Sequence, residues 1–147
     1  MNKNDELFMS TLVLSTHEDC DVIETVEVGY NEQFELVIRL SERSYGWVAE
    51  DLDDAECYIE VRTDFDNAYA LSRRLDTPMR RLHYRVAACL GNDYDGLILP
   101  SADDTWTAFR RITDFISQNG CKYKLKYKYG RGHYPDGCTF RYNRWRG

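Results

Sequence analysis

The spacing of apolar residues divides this chain into a strand-like first part, a helix-like middle and a strand-like end. Residues 7–14, LFMSTLVL, put apolar side chains at odd and even positions alike, the pattern of a strand buried on both faces. VIETVEV at 22–28 alternates less cleanly, and GYNEQ then supplies turn chemistry. FELVIRL at 34–40 alternates sharply, with Phe34, Leu36, Ile38 and Leu40 on one face and Glu35 and Arg39 on the other. Together these segments predict a hairpin. YGWVA at 45–49 reads as a short edge strand, and CYIEVR at 57–62 as another strand with Cys57, Ile59 and Val61 inward.

The period changes after Asp64. Phe65, Ala68, Tyr69, Ser72 and Leu75 recur at helical spacing. Thr77-Pro78 predicts an N-cap followed by Pro at the first helical position. Met79, Leu82, Val86, Cys89 and Leu90 form the stripe of that second helix, and Gly91 is its expected stop. GLILP at 96–100 reads as a short buried strand or extended connection. Ser101 then reads as the N-cap of a third helix with Asp104 as an acidic residue in its first turn, Trp106, Phe109, Ile112, Thr113 and Ile116 on one face and Asn119-Gly120 at its end. Strands followed by segregated helices predict an α+β fold. We expect one domain over residues 1–147: a mainly antiparallel sheet of about five to seven strands, packed with three helices and closed by a C-terminal β-hairpin.

That hairpin is the most distinctive segment. In CKYKLKYKYGRGHYPDGCTFRYNRWRG, residues 121–147, a loop over 130–137 sets Tyr129 opposite Cys138, Tyr127 opposite Phe140, Leu125 opposite Tyr142 and Tyr123 opposite Arg144. This register gathers tyrosine and leucine on one face and Lys122, Lys124, Lys126, Lys128 and Arg141 on the other. Lys126 then stands across from Arg141, a like-charge pair that an anion would relieve. The anion is either internal (Glu24, Glu27, Glu35 or the 50–56 run) or a partner such as a phosphate backbone, with Tyr134 or Trp145 available for stacking. No recognised nucleic-acid motif accompanies the lysines.

Charge sharpens this contrast. Residues 120–147 carry eight Lys or Arg against one Asp, a net +7, within a chain of net charge −6. The remaining residues therefore hold −13, concentrated in EDLDDAE at 50–56. That run fails the EF-hand pattern, since Ala55, Glu56 and Arg62 occupy the places of an oxygen ligand, the glycine and the final glutamate. Two further constellations are weak. Glu60-Val61-Arg62, with Asp51, Asp53 or Asp54 upstream, resembles a metal-dependent nuclease strand but has arginine in place of lysine. His17, Cys20, His133 and Cys138 supply zinc-type donors without zinc-type spacing. The odd, scattered cysteines suit reduced thiols, and no apolar run approaches a membrane span or signal segment, so a cytoplasmic setting is expected.

The sequence therefore predicts a small intracellular, non-enzymatic binding protein without a cofactor or metal. A protein partner is expected and nucleic acid is an open alternative, with contact through Lys122, Lys124, Lys126, Lys128, Arg141 and Tyr134. A second reading makes Glu50, Asp51, Asp53, Asp54 and Glu56 the working surface of an acidic protein that imitates nucleic acid and inhibits a basic partner. The metal-dependent nuclease is the third.

Overall fold

The computed structural model describes residues 7–18, 22–44, 56–90 and 104–128. It shows an α+β fold with an antiparallel sheet and three helices. The described strands are β1 (Phe8–Glu18), β2 (Val22–Tyr30), β3 (Leu36–Ser44), β4 (Glu56–Thr63) and β5 (Lys124–Lys128). They lie side by side in sequence order, each antiparallel to its neighbour. The helices α1 (Phe65–Arg74), α2 (Met79–Ala87) and α3 (Thr105–Gln118) all fall between β4 and β5. The expected strands at 45–49 and 96–100, Ser101 and Gly91 lie outside the described residues, as does the second strand of the expected hairpin.

The helices cover one face of the sheet because alternation supplies it with an unbroken apolar surface. Val26, Val28 and Tyr30 of β2, Leu36, Ile38 and Leu40 of β3, and Ile59 and Val61 of β4 are buried against Leu71, Leu82, Val86, Phe109, Ile112 and Ile116 of the helices. Burial on this scale is the main stabilising term, at about 1.5–3 kcal/mol per large side chain. Tyr30 satisfies its buried hydroxyl by donating to the Met79 carbonyl at 2.6 Å. Its burial pushes the phenol up to about 12.

Several sequence expectations are corrected by turn and cap geometry. Phe34 does not continue the inward face of β3. The Asn31 carboxamide oxygen accepts the backbone N–H groups of Gln33 and Glu35, each at 3.0 Å, and so holds residues 31–35 as a turn. Phe34 sits within it at φ 59°, 49% exposed. On β1, Val13 is 47% exposed, so that strand is not buried on both faces; its pairing with β2 also shifts register twice. In α1 the buried residues are Ala68, Leu71 and Ser72, whereas Phe65 and Tyr69 stack on each other in solvent. The second helix is capped at Pro78 rather than Thr77, whose hydroxyl instead donates to the Leu75 carbonyl.

Two helix ends steer the chain. Past α3, Gly120 adopts φ 76°; its N–H donates to the Ser117 carbonyl and that of Cys121 to the Ile116 carbonyl. This is the Schellman arrangement, which Asn119-Gly120 foreshadowed. It turns the chain back along the sheet into β5. The same pair of bonds ends α1, from Asp76 to Arg73 and from Thr77 to Ser72, but here an aspartate takes the left-handed position, at φ 51°.

Candidate polyanion-binding site

The site builds outward from β4. Register aligns Glu27 of β2, Arg39 of β3, Glu60 of β4 and Lys126 of β5 in one row across the sheet, on the face turned away from the helices. Charge alternates along this row. Arg39 Nε donates to Glu60 Oε2 at 2.6 Å, and Arg39 Nη1 lies 3.7 Å from Glu27 Oε1. Arg62, two residues along β4, donates its own Nε to the other Glu60 oxygen. The Arg39 guanidinium also stacks on the Tyr58 ring, 4.7 Å from its centroid.

Arg39 and Glu60 are buried, as are Val37 and Tyr58 on the same face. Strict alternation predicts a wet outer face here, and the centre of this sheet departs from it. A buried carboxylate is tolerable only when its charge is matched, and two guanidiniums match Glu60. Burial works against the charge on Arg62, but the attraction and hydrogen bond of Glu60 outweigh it and hold the guanidinium above its ordinary value.

This pairing decides what the lysines meet. Both Glu60 oxygens are engaged by arginine, so the carboxylate directly opposite Lys126 is already matched. Of the other internal candidates, Glu27 faces Arg39, Glu24 accepts a hydrogen bond from Thr105 Oγ1 at 2.7 Å, Glu35 accepts one from Asn31 Nδ2 at 2.8 Å, and the 50–56 run apart from Glu56 lies outside the described residues. Among the described residues no salt bridge reaches Lys122, Lys124 or Lys126, and all three are exposed. Tyr123, Leu125 and Tyr127 on the opposite face of this segment pack half-buried against the core. The two-faced character read from alternation is therefore present in β5, whose neighbour among the described strands is β4.

Where β5 begins, a cleft of about 240 Å³ opens, lined by Glu35, Arg62, Asp64, Asn67, Lys122, Tyr123 and Lys124. Lys124 stands directly across from Arg62, a like-charge pair at the cleft wall. Asp64 is occupied in part as the N-cap of α1: its Oδ1 accepts from the Asn67 backbone N–H at 2.8 Å and from the Asn67 side chain at 2.9 Å. These two hydrogen bonds hold its carboxyl below the ordinary aspartate value, and Lys124 adds to the effect.

Comparison with protein-family models, curated proteins and solved structures finds no match. Function must be read from these side chains alone.

The remaining sequence candidates are not assembled among the described residues. Arg141, Tyr134, Glu50, Asp51, Asp53 and Asp54 lie outside them; Glu56 opens β4 opposite Arg43, and Lys128 closes β5 opposite Tyr58. His17 is on β1, while Cys20, His133 and Cys138 lie outside, and the described residues hold no metal-type cluster of three or more donors. The nuclease reading loses its central ligand, since both oxygens of Glu60 are held by arginine. Sequence reasoning missed the cleft residues Arg62, Asp64, Asn67 and Tyr123 as a group. Only the pairing of β5 with β4 brings them together. It also placed Phe34 and Phe65 inward, whereas the Asn31 turn signal in GYNEQ would have started β3 after Glu35.

Proposed function

We propose that this chain is a binding protein, not an enzyme, and that it holds an acidic partner on the exposed lysines of the β5 segment and the adjoining cleft. One observation carries this reading: Lys122, Lys124 and Lys126 stand exposed, while Glu60, the buried carboxylate opposite Lys126, is matched by Arg39 and Arg62 and the residue opposite Lys124 is Arg62 itself. Glu35 and Asp64 moderate the charge of the cleft, so attraction is strongest along the strand, where a chain-like polyanion gains from several cations at once. Free Cys89 and Cys121, half-buried and buried, support the intracellular setting that goes with it. The described residues offer no observation in favour of the acidic 50–56 surface.

The test is titration of labelled RNA or DNA at roughly 50 mM salt, where phosphate contacts are strongest. Replacing Lys122, Lys124 and Lys126 together with Gln should abolish binding and leave the melting temperature nearly unchanged. Binding that survives the triple replacement would place the contact elsewhere.

A further inference from the structure

The cleft at the start of β5 is lined by charges of both signs that do not neutralise one another by contact. Arg62 and Lys124 stand opposite each other across the strands. Glu35 belongs to the turn before β3, and Asp64 caps the start of α1. The charge of Glu35 is felt at Arg62, and that of Lys124 at Asp64. Yet among the described residues no salt bridge joins either pair.

Each group is held back by a bond of its own. Arg62 Nε is fixed on Glu60, Asp64 Oδ1 accepts both Asn67 donors, and Glu35 Oε1 accepts from Asn31 Nδ2 at 2.8 Å. Each tie uses one atom of a forked group. The Arg62 Nη atoms, Asp64 Oδ2 and Glu35 Oε2 keep hydrogen-bonding capacity that no described residue takes up. Charges fixed apart in this way are preorganised for a ligand, since little ordering remains to be done on binding.

A simple anion would gain from Arg62 and Lys124 but lie against two carboxylates, and a simple cation would meet the reverse. A ligand carrying both charges satisfies both sets. Arg62 and Asp64 are two residues apart in extended chain, which separates the sets by about 7 Å. That is too far for an ammonium and a carboxylate on one carbon, but a few methylenes span it. Half-buried Tyr123 gives such methylenes an aromatic wall, and about 240 Å³ suits a molecule of this size.

We infer that the cleft binds a short ω-amino acid, its carboxylate between Arg62 and Lys124 and its ammonium against Glu35 and Asp64. This goes beyond the polyanion reading and does not rest on it; Lys126 lies outside the cleft lining.

The experiment uses the full chain at low salt, where charge is least screened, and follows NMR shifts during titration. The probes are 4-aminobutyrate, 6-aminohexanoate, glycine, butyrate and butylammonium. One of the two ω-amino acids should bind saturably, at least about tenfold more tightly than glycine or either singly charged compound. Asp64→Asn, which keeps a good N-cap, and Glu35→Gln should each weaken that ligand by about tenfold. The same changes should strengthen binding of labelled RNA, because they remove negative charge beside the lysines. Lys126→Gln should weaken RNA and leave the ω-amino acid unaffected. Glycine or butyrate binding as tightly as the ω-amino acids would overturn the inference, as would indifference to both Glu35→Gln and Asp64→Asn. Absence of saturable binding by either ω-amino acid would overturn it too, and RNA binding that persisted would keep the proposed function standing. Saturable ω-amino acid binding without RNA binding would overturn that function alone.

Discussion

Arg39 and Glu60 meet at 2.6 Å in the middle of the sheet, both buried and on the face turned away from the three described helices. Neither charge gains much from being there, since desolvation of both ions offsets most of their attraction. Each nonetheless depends on the other. Glu60→Ala should destabilise the fold by about 3–5 kcal/mol, because it strands Arg39 in the interior and frees Arg62. A double variant, Arg39→Met with Glu60→Leu, should lose less than the two single changes combined, by about 0.5–3 kcal/mol. Urea unfolding of wild type, Glu60→Ala, Arg39→Met, Glu60→Leu and the double variant measures both quantities.

A smaller loss is expected at Tyr30, whose hydroxyl ties β2 to the start of α2. Tyr30→Phe keeps the ring and its edge-to-face contact with His83 but removes the hydrogen bond to the Met79 carbonyl. The expected cost is about 1 kcal/mol in denaturant titrations.

Asp76 should respond in the opposite direction. It occupies the left-handed position at the end of α1, which glycine fills without steric cost. Asp76→Gly should therefore raise stability by about 0.5–1 kcal/mol, visible as a higher melting temperature. No such gain is expected at Gly120. An added Cβ there meets only the tip of Arg74 at 3.5 Å, so Gly120→Ala loses stability through the positive φ alone.

The pH dependence of the α1 cap follows from Asp64. Its carboxyl is held below the ordinary value by the two hydrogen bonds from Asn67, so the folded state favours the charged form. The resulting stabilisation is complete above the unfolded aspartate pKa and is lost as pH falls through the folded one. Wild type should melt above Asp64→Ala near neutrality, and the gap should close as pH falls below the ordinary aspartate range. A gap that persisted in acid would show that the cap does not depend on the charge.

The thiols should be slow. Burial pushes Cys89 up to about 11, and it also raises Cys121. At about pH 8 the Cys89 thiolate is scarce enough that alkylation should run roughly a hundredfold slower than for a free cysteine. Peptide mapping after timed iodoacetamide treatment reads this site by site.

Legibility in the sequence followed how local each signal was. Alternation in FELVIRL and CYIEVR placed Leu36, Ile38, Leu40, Ile59 and Val61 in the core, and the helical stripes placed Leu82, Val86, Phe109, Ile112 and Ile116 there too. Asn119-Gly120 marked the end of α3, whereas its cap falls on Asp104, which the sequence predicts in the first turn behind Ser101. Periodicity failed where one local bond overrode it, as when Asn31 bent the chain and carried Phe34 into solvent. It failed again where only tertiary pairing supplies the neighbour. Nothing near Lys124 in the chain announces Arg62 as its partner across the strands, nor Glu60 as the carboxylate shared by two arginines.

That long-range pairing has a consequence for how the molecule comes into being. The first four strands need only near neighbours and can assemble while the rest of the chain is still being made. β5 joins β4 across three helices, so a large loop must close before its contacts form. The strand bearing the lysines is thus the last of the described strands that synthesis delivers, and its exposed row of cations comes into being only when folding is nearly complete.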